Sequence, residues 1–480
     1  MATQRISFGE WLPDQPGLSN SLTEAKNVIS QAIGYGPLPR PISIASGAGE
    51  TLYTLHHARK ANGDTLLFAG GSASVFTVSS VGVFTDVSGA TYTTPSDDRI
   101  RFTQFGKSTI FTNNADKLQY FDVDSSAAFA DLAVDAPVAK YITVVRDFVV
   151  VANTLESSTR YPTRVRWSGI NDETEWTYSQ TTQADYQDIP DGGNIVGIRG
   201  GEFGLVLMNK SIVRMSYIGT PFIFQFDNIS RGTGCLEENS IAQYQGITFF
   251  LSDDGFYMCD GQVVKPIGSE KIDRWFFDNV DLANIKTMSA AVDLIRKLVV
   301  WNFPSSGLIR KLAIYNFKTG RWTNADAETD YVSDASTGTV TLEQLDTISG
   351  SLDALGQSLD SAAYIGGQSF LGGLADDAVY AFTGLPRAGE IITGDVDIGA
   401  NSVATLARPQ VDNGSADVSI ASRLRLDTVV SYGTPVSASS ENRVPLRSSG
   451  RYHRLKINPT GDNWKNAVAV DVDITPQGGR

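Results

Sequence analysis

Cysteine and long apolar runs are scarce in this sequence, and each scarcity excludes a class of protein. The 480 residues include two cysteines, Cys235 and Cys259, which is too few for a disulfide framework. We expect both thiols to be reduced, with Cys259 a small buried apolar residue, although one disulfide between them is also compatible with the sequence. No run of about 18 apolar residues occurs, so we predict no membrane insertion. Residues 1–14 lack the apolar core of a secretory signal, which predicts assembly in a cytoplasm.

Signatures of catalysis are missing as well. The chain has three histidines, His56, His57 and His453. The first two are neighbours in a predicted strand and point to opposite faces, so they cannot serve one site. Nucleophile-elbow, zinc-protease, phosphate-loop and paired CxxC motifs do not occur. We therefore predict that the protein is not an enzyme and has no catalytic residues, no metal ligands and no cofactor.

Clusters of carboxylates are the one remaining chemical signal. Paired carboxylates hydrolyse glycosides, and carboxylate oxygens also bind calcium. Most of the clusters fall in predicted turns, where Asp accepts local hydrogen bonds from the backbone, so we interpret them first as turn-forming residues. The clusters are Asp122/Asp124, Asp172/Glu173/Glu175, Asp253/Asp254 and Asp376/Asp377.

The charge is strongly acidic and unevenly distributed. A formal net charge of −14 disfavours nucleic-acid binding by the general surface, because such binding depends on Lys and Arg. Residues 389–480 carry ten basic and ten acidic groups, so the acidic excess lies upstream. A basic patch within this region has only Glu441 nearby, and we interpret it as a solvated face, a docking face for an acidic partner, or a phosphate contact. Its residues are Arg443, Arg447, Arg451, His453, Arg454 and Lys456.

Short strands and tight turns dominate what is present. Gly246–Pro266 reads as a three-stranded meander, with a predicted two-residue hairpin turn at Asp260-Gly261. Similar units recur at intervals of roughly 40–50 residues, the spacing of four-stranded β-propeller blades. Their polar turns lie near residues 70, 113, 153, 209, 253, 304 and 374.

These patterns predict an all-β protein in three parts. Residues 1–45 form a proline-rich extended arm with one helix over Ser21–Ile29, whose Ser21 and Glu24 match a capping box. Residues 46–388 form a β-propeller of six or seven blades, with an irregular insertion at about 324–360. Residues 389–480 alternate apolar and polar residues in six short strands, which favours a β-sandwich.

Several short motifs, taken together, resemble tail proteins of short-tailed, podovirus-like bacteriophages. They are similar to the tail hub, or nozzle, and packaged-DNA stabilisation proteins. As scattered stretches they cover most of the chain. The motifs are Phe8–Asp14, Ala25–Val28, Gly34–Pro37, Val213–Phe224 with Gly232, Ser252–Phe256, Gly268–Ile272, Leu342–Asp346 through Asp360, and Ser449–Arg454.

The resemblance implies a virion tail component that forms a ring, as a homo-hexamer, below the portal and its adaptor protein. It would extend the DNA channel without sequence-specific binding, help retain packaged DNA, and dock a fibre, a spike or a needle-like plug. An acidic channel lining would repel phosphate and let DNA slide. A second interpretation is a carbohydrate-binding or glycan-cleaving propeller, and a third is a monomeric cellular scaffold.

Two sets of residues are the predicted contacts with other subunits or partners. The N-terminal arm is interpreted in two ways: it lies over a domain, with Trp11 and Tyr35 as anchors, or it packs on a neighbouring subunit. For the second interpretation, Trp11 and the prolines of the arm are the predicted contacts. We expect the basic patch to dock an acidic partner. The residues are Phe8, Trp11, Pro13, Arg443, Arg447, Arg451, Arg454 and Lys456.

Overall fold

The computed structural model describes residues 2–18, 21–307, 309–336, 351 and 369–477. The described residues are mainly β-strand, as predicted, with one short α-helix and two 3₁₀ turns. The helices are α1 (Asp273–Asn279) and the 3₁₀ turns Glu238–Ser240 and Leu282–Thr287. The N-terminal strands are β1 (Ala2–Ser7), β2 (Leu22–Lys26), β3 (Val28–Ser30), β4 (Tyr35–Pro37) and β5 (Pro39–Ser46).

Within the described residues, six separate four-stranded antiparallel sheets form a β-propeller arrangement. The first sheet contains β6 (Thr54–Arg59), β7 (Thr65–Gly70), β8 (Val75–Val78) and β9 (Phe84–Asp86). The second contains β10 (Arg101–Phe105), β11 (Ser108–Thr112), β12 (Gln119–Asp122) and β13 (Ala130–Asp131). The third contains β14 (Val138–Val145), β15 (Phe148–Glu156), β16 (Thr159–Trp167) and β17 (Asp185–Asp188).

The fourth and fifth sheets follow in the same order along the chain. The fourth contains β18 (Ile195–Arg199), β19 (Gly204–Met208), β20 (Ser211–Gly219) and β21 (Ile223–Arg231). The fifth contains β22 (Ala242–Tyr244), β23 (Ile247–Leu251), β24 (Phe256–Cys259) and β25 (Val264–Pro266). A further meander comes next, formed by β26 (Ser289–Asp293), β27 (Leu298–Pro304), β28 (Arg310–Asn316) and β29 (Arg321–Asp326).

The sixth sheet is completed by a strand from the start of the chain. It contains β30 (Tyr331–Ser336), β31 (Ser369–Ala375), β32 (Ala378–Pro386) and then β5, which pairs with β32. Part of the predicted insertion is wrong, because residues 324–336 complete β29 and form β30. The remainder, residues 337–360, lies outside the described residues apart from Ser351.

Apolar clusters between neighbouring meanders hold the ring together. Phe68 of the first sheet packs edge-on against Phe121 of the second, with ring centroids 5.3 Å apart. Comparable clusters lie between each following pair, and the last joins Leu374 of the sixth sheet to Leu55 of the first. Each blade thus buries its faces against its neighbours, because a single four-stranded sheet cannot bury both faces alone.

Six of the seven predicted turn positions are confirmed, because they lie at or beside the connection between the second and third strands of a meander, including the meander β26–β29. The seventh, at residue 153, lies inside β15 at a break in the strand register. The Asp260-Gly261 turn differs from the prediction, because Cys259 pairs with Val264 and leaves a four-residue loop. The Asp260 carboxylate accepts hydrogen bonds from the backbone N–H groups of Gln262 and Val263, which stabilises this longer turn.

Residues 2–46 contain five strands, four of which pair with distant parts of the chain. The helix predicted over Ser21–Ile29 is wrong, since this segment forms β2 and β3. Its capping-box glutamate, Glu24, instead accepts a 2.5 Å hydrogen bond from the side-chain amide of Asn324. Backbone pairing with residues 390–393 outweighs the local helical signal. The predicted arm boundary at residue 45 falls inside β5.

The C-terminal strands number six, as predicted, but their lengths differ from the prediction. They are β33 (Glu390–Thr393), β34 (Val396–Asp412), β35 (Ser415–Arg423), β36 (Val436–Ser437), β37 (Val444–Thr460) and β38 (Asn466–Pro476). Both β34 and β37 are 17 residues long and pair with several partners in succession. With β1–β4 and β26–β29 they form one 14-stranded sheet. The C-terminal region is therefore continuous with the N-terminal strands and with the β26–β29 meander.

Candidate functional site

A polar cavity of about 340 Å³ lies where the inner strands of the propeller converge. The first strands of the six separate sheets and of the β26–β29 meander all contribute lining residues. Three arginines, Arg99, Arg101 and Arg199, reach this cavity, together with Glu238. The charged lining therefore comes from residues far apart in sequence.

Glu238 is the negative centre of the cavity. Its carboxylate forms ion pairs of 2.7 Å with Arg101 and 2.8 Å with Lys140, and it accepts a hydrogen bond from the hydroxyl of Tyr141. Burial alone would raise the pKa of Glu238, but the two cations outweigh burial and hold this pKa at about 2. Glu238 is therefore ionised at neutral pH and is a weak general base.

Arg99 and Arg199 differ from Arg101 because they form no ion pair within the described chain. The Nη2 group of Arg99 donates to the carbonyls of Lys286 and Met288, and the guanidinium stacks 4.4 Å from the ring centre of Tyr331. Arg199 donates to the carbonyls of Ile198 and Ile241. Burial lowers the pKa of each guanidinium to about 10, so both still carry a positive charge at neutral pH.

His56 is the third notable lining group. Its ring stacks on Phe102, with centroids 5.3 Å apart. The Nε2 atom is buried and has no hydrogen-bond partner. Burial, and then the neighbouring His57, lower the pKa of His56 to about 3, so its ring is neutral at physiological pH.

The predicted contact residues of the N-terminus are mostly inside the protein. Phe8 is 4% exposed and Trp11 is 1% exposed, both in the core shared with the C-terminal strands. Trp11 packs edge-on against Trp275 at 5.0 Å. This burial matches the interpretation in which the arm lies over its own chain with Trp11 as an anchor, and contact of the segment with a neighbouring subunit stays a prediction. Pro13 is half-buried and lines a cleft beside α1.

The predicted basic patch is largely neutralised within the chain. Arg451 pairs with Asp397 at 2.9 Å, and Arg454 pairs with Asp395 at 2.6 Å. Asp395 and Asp397 precede these arginines by more than fifty residues. The sequence around the patch therefore gave no sign of these ion pairs. Lys456 pairs with Glu390, Arg443 pairs with Glu441, His453 is buried, and Arg447 is exposed. The paired arginines and lysine are therefore weak anchors for an acidic partner.

The turn interpretation of the carboxylate clusters is supported by local hydrogen bonds. The Asp122 side chain accepts from the backbone N–H of Asp124, and Asp172 accepts from that of Thr174. Within the described ranges, no group of three or more His, Cys, Asp or Glu side chains could hold a metal ion. Both cysteines are free and buried, as predicted.

Sequence reasoning missed the charged cavity and two exposed apolar loops. The pattern Arg99-Ile100-Arg101 was a usable signal, because alternate residues of a strand share one face. The β20–β21 hairpin exposes Ile218 and Phe222, the latter by 74%. The loop after β35 exposes three further apolar side chains, Leu424, Leu426 and Val429. In the part of the chain that the structure describes, no helix is long and apolar enough to cross a membrane.

No family model matches the chain, and no curated protein matches it. Among solved structures, the WD40 domain of Neurospora crassa Pan2 is similar over 70% of this chain and 92% of its own, at 7% identity and a TM-score of 0.38. The N-terminal domain of Nup159 is similar over 75% of this chain and 98% of its own, at 10% identity and a TM-score of 0.39. The computationally designed protein Ika8 is similar over 72% of this chain and 99% of its own, at 10% identity and a TM-score of 0.36. We assign the propeller from the strand order and draw no function from these similarities.

Proposed function

We propose that this chain is a structural subunit of a bacteriophage tail, a hub or nozzle protein that forms a hexameric ring below the portal and its adaptor. The ring extends the DNA channel, helps retain packaged DNA and docks fibres, spikes or a plug. In this proposal the β26–β29 meander is the seventh propeller blade, and residues 389–480 form a β-sandwich domain tied to the propeller by the N-terminal strands. The subunit acts through contacts with other proteins and performs no catalysis.

The observation that carries this proposal is the exposure of large apolar side chains on two separate loops. Ile218 and Phe222 are 51% and 74% exposed at the tip of the β20–β21 hairpin, and Val429 is 86% exposed on the loop after β35. A ring of identical subunits needs two different complementary surfaces on each copy. Exposed apolar groups of this size favour protein–protein contact. The hairpin also contains the Val213–Phe224 motif that resembles the tail proteins.

The propeller itself is too closed to be the DNA channel. A cavity of about 340 Å³ suits a small molecule and cannot hold a duplex. In the proposed ring, the channel therefore lies between subunits. The net charge of −14 is compatible with a channel wall that repels phosphate and allows DNA to slide.

Particle mass by light scattering tests the proposal, for the chain alone and with the portal-side adaptor ring. The expected result is an assembly of six times the 51.7 kDa chain mass, formed alone or on the adaptor. Phe222→Asp removes an exposed apolar anchor and is expected to abolish this assembly. Val134→Asp is the matched control, because Val134 is also exposed, by 92%, but lies on another loop. A monomer in both conditions for the unaltered chain would overturn the proposal.

A further inference from the structure

Two arginines of the propeller cavity, the buried Arg99 and the partly buried Arg199, lack a direct ion-pair partner among the described residues. Glu237 near Arg99 and Asp334 near Arg199 act on them only at longer range. Arg99 is 9% exposed, and neither Arg99 nor Arg199 forms an ion pair in the part of the chain that the structure describes. Glu238 is already held by Arg101 and Lys140, and the other carboxylate of the lining, Asp334, is exposed. Burying a cation without a partner is costly. The cavity is therefore prepared for an anion that comes from outside the chain.

Unused donors are available for such an anion. A guanidinium has five N–H donors, and the hydrogen bonds of Arg99 to main-chain carbonyls use only its Nη2 group. Arg199 uses its two terminal nitrogens, one carbonyl each. The buried Nε2 atom of His56, on the same lining, also has no partner. These groups line one partly open cavity.

The size and polarity of the cavity indicate the kind of anion. The fork of a guanidinium matches the oxygens of a phosphate group. A volume of about 340 Å³ is at the lower end of small-molecule pockets. The remaining lining is rich in hydroxyl and amide groups that can bond a hydroxylated body, namely Thr54, Thr143, Asn239, Gln243, Ser289 and Ser333.

We propose that the central cavity of the propeller binds a small phosphate-bearing molecule between Arg99, Arg101 and Arg199. This inference is independent of the tail assignment, because it rests on the cavity of a single chain. The ligand offsets the buried positive charge and links inner strands of different blades. Binding therefore stabilises the closed propeller by mass action.

Calorimetric titration of the full chain tests the proposal, with inorganic phosphate and ribose 5-phosphate as probes and ribose as the uncharged control. The expected result is one site per chain for at least one phosphate probe and none for ribose. Arg199→Gln is expected to weaken binding at least tenfold, because a charge-assisted hydrogen bond is lost. Arg274→Gln is the matched control, since Arg274 is 80% exposed, and it should leave the affinity unchanged.

A second measurement separates a binding role from a structural one. The bound probe should raise the unfolding midpoint of the unaltered chain, and this increase should disappear in Arg199→Gln. Without probe, Arg199→Gln should unfold no earlier than the unaltered chain, because it removes a partly buried charge that has no ion-pair partner in the described chain. Absence of binding by both phosphate probes, or equal binding by Arg199→Gln and the unaltered chain, would overturn the proposal.

Discussion

Glu238 links the second, third and fifth blades through charge, and its replacement gives the sharpest test of the cavity. Glu238→Gln keeps the shape of the side chain but removes the charge that holds Arg101 and Lys140. The lowering of its pKa from the ordinary 4.5 to about 2 corresponds to roughly 3 kcal/mol in favour of the folded protein, since each pH unit is worth about 1.4 kcal/mol. Removing one partner of a buried ion pair costs about 3–5 kcal/mol, which is similar to the free energy inferred from the pKa of Glu238.

The pH dependence of this loss follows from the sign of the pKa change. A carboxylate with a lowered pKa stabilises the folded state fully above its unfolded pKa, and this contribution disappears as the pH falls through the folded value. Glu238→Gln should therefore be about 3 kcal/mol less stable at pH 7. The difference from the unaltered chain should shrink between about pH 4.5 and pH 2.

Urea unfolding at several pH values measures this effect, followed by tryptophan fluorescence and circular dichroism so that coincident transitions can be verified. Glu202→Gln is the control, because Glu202 lies exposed in a turn, and its stability should match the unaltered chain. A loss below about 1 kcal/mol at pH 7 for Glu238→Gln, or a loss that persists unchanged in acid, would refute the reasoning.

Four further predictions concern the junction of the propeller with the N- and C-terminal strands. Asp395→Asn should cost about 3–5 kcal/mol, because the buried Asp395 pairs with two arginines. Asp397→Asn should cost less than about 1 kcal/mol, because that pair is partly exposed. Trp11→Ala should cost about 3–5 kcal/mol by emptying a core site, and urea unfolding measures all three variants. Removing residues 1–46 should expose the backbone of β32 to hydrogen exchange, because β5 covers its edge.

Each of these four predictions has a control variant or a result that would contradict it. Leu18→Ala is matched to Trp11→Ala, because Leu18 is 50% exposed and should cost little. Equal losses for Asp395→Asn and Asp397→Asn would contradict the assigned difference in burial. Protection of β32 that survives removal of residues 1–46 would show that β5 does not close the sheet, and β19 in the fourth sheet should keep its protection throughout.

The blades were predictable because their determinants are local. Thr65–Gly70 matches β7 at both ends, since its apolar run and flanking turns lie within a few residues. The turn-forming role of the carboxylates was predictable for the same reason, since Asp172 accepts a hydrogen bond from the backbone N–H of a residue two positions later. Each hairpin joins two strands that are consecutive in the sequence. The spacing from one blade to the next can therefore be recognised from the sequence alone.

The rest depended on partners far away in sequence. The capping-box pattern at Ser21 and Glu24 favoured a helix, yet pairing with residues 390–393 decided the outcome. The basic patch was predicted without its carboxylates, because Asp395 lies about sixty residues before Arg454. Arg199 and Glu238 meet in one cavity only because the ring closes. None of these long-range contacts can be recognised from the residues next to it in the sequence.

The pairing of the N-terminal strands sets an order of events for synthesis. Ala2 pairs with Ile474, and Ser46 pairs with Ala378. Both N-terminal strands must therefore wait while several hundred residues emerge from the ribosome, and long-range pairing of this kind is slow and exposes unpaired strand edges. The middle blades, built from neighbouring hairpins, can fold during translation. Completion of the ring is then a late step in folding, and the edge of β32 stays unpaired until that step.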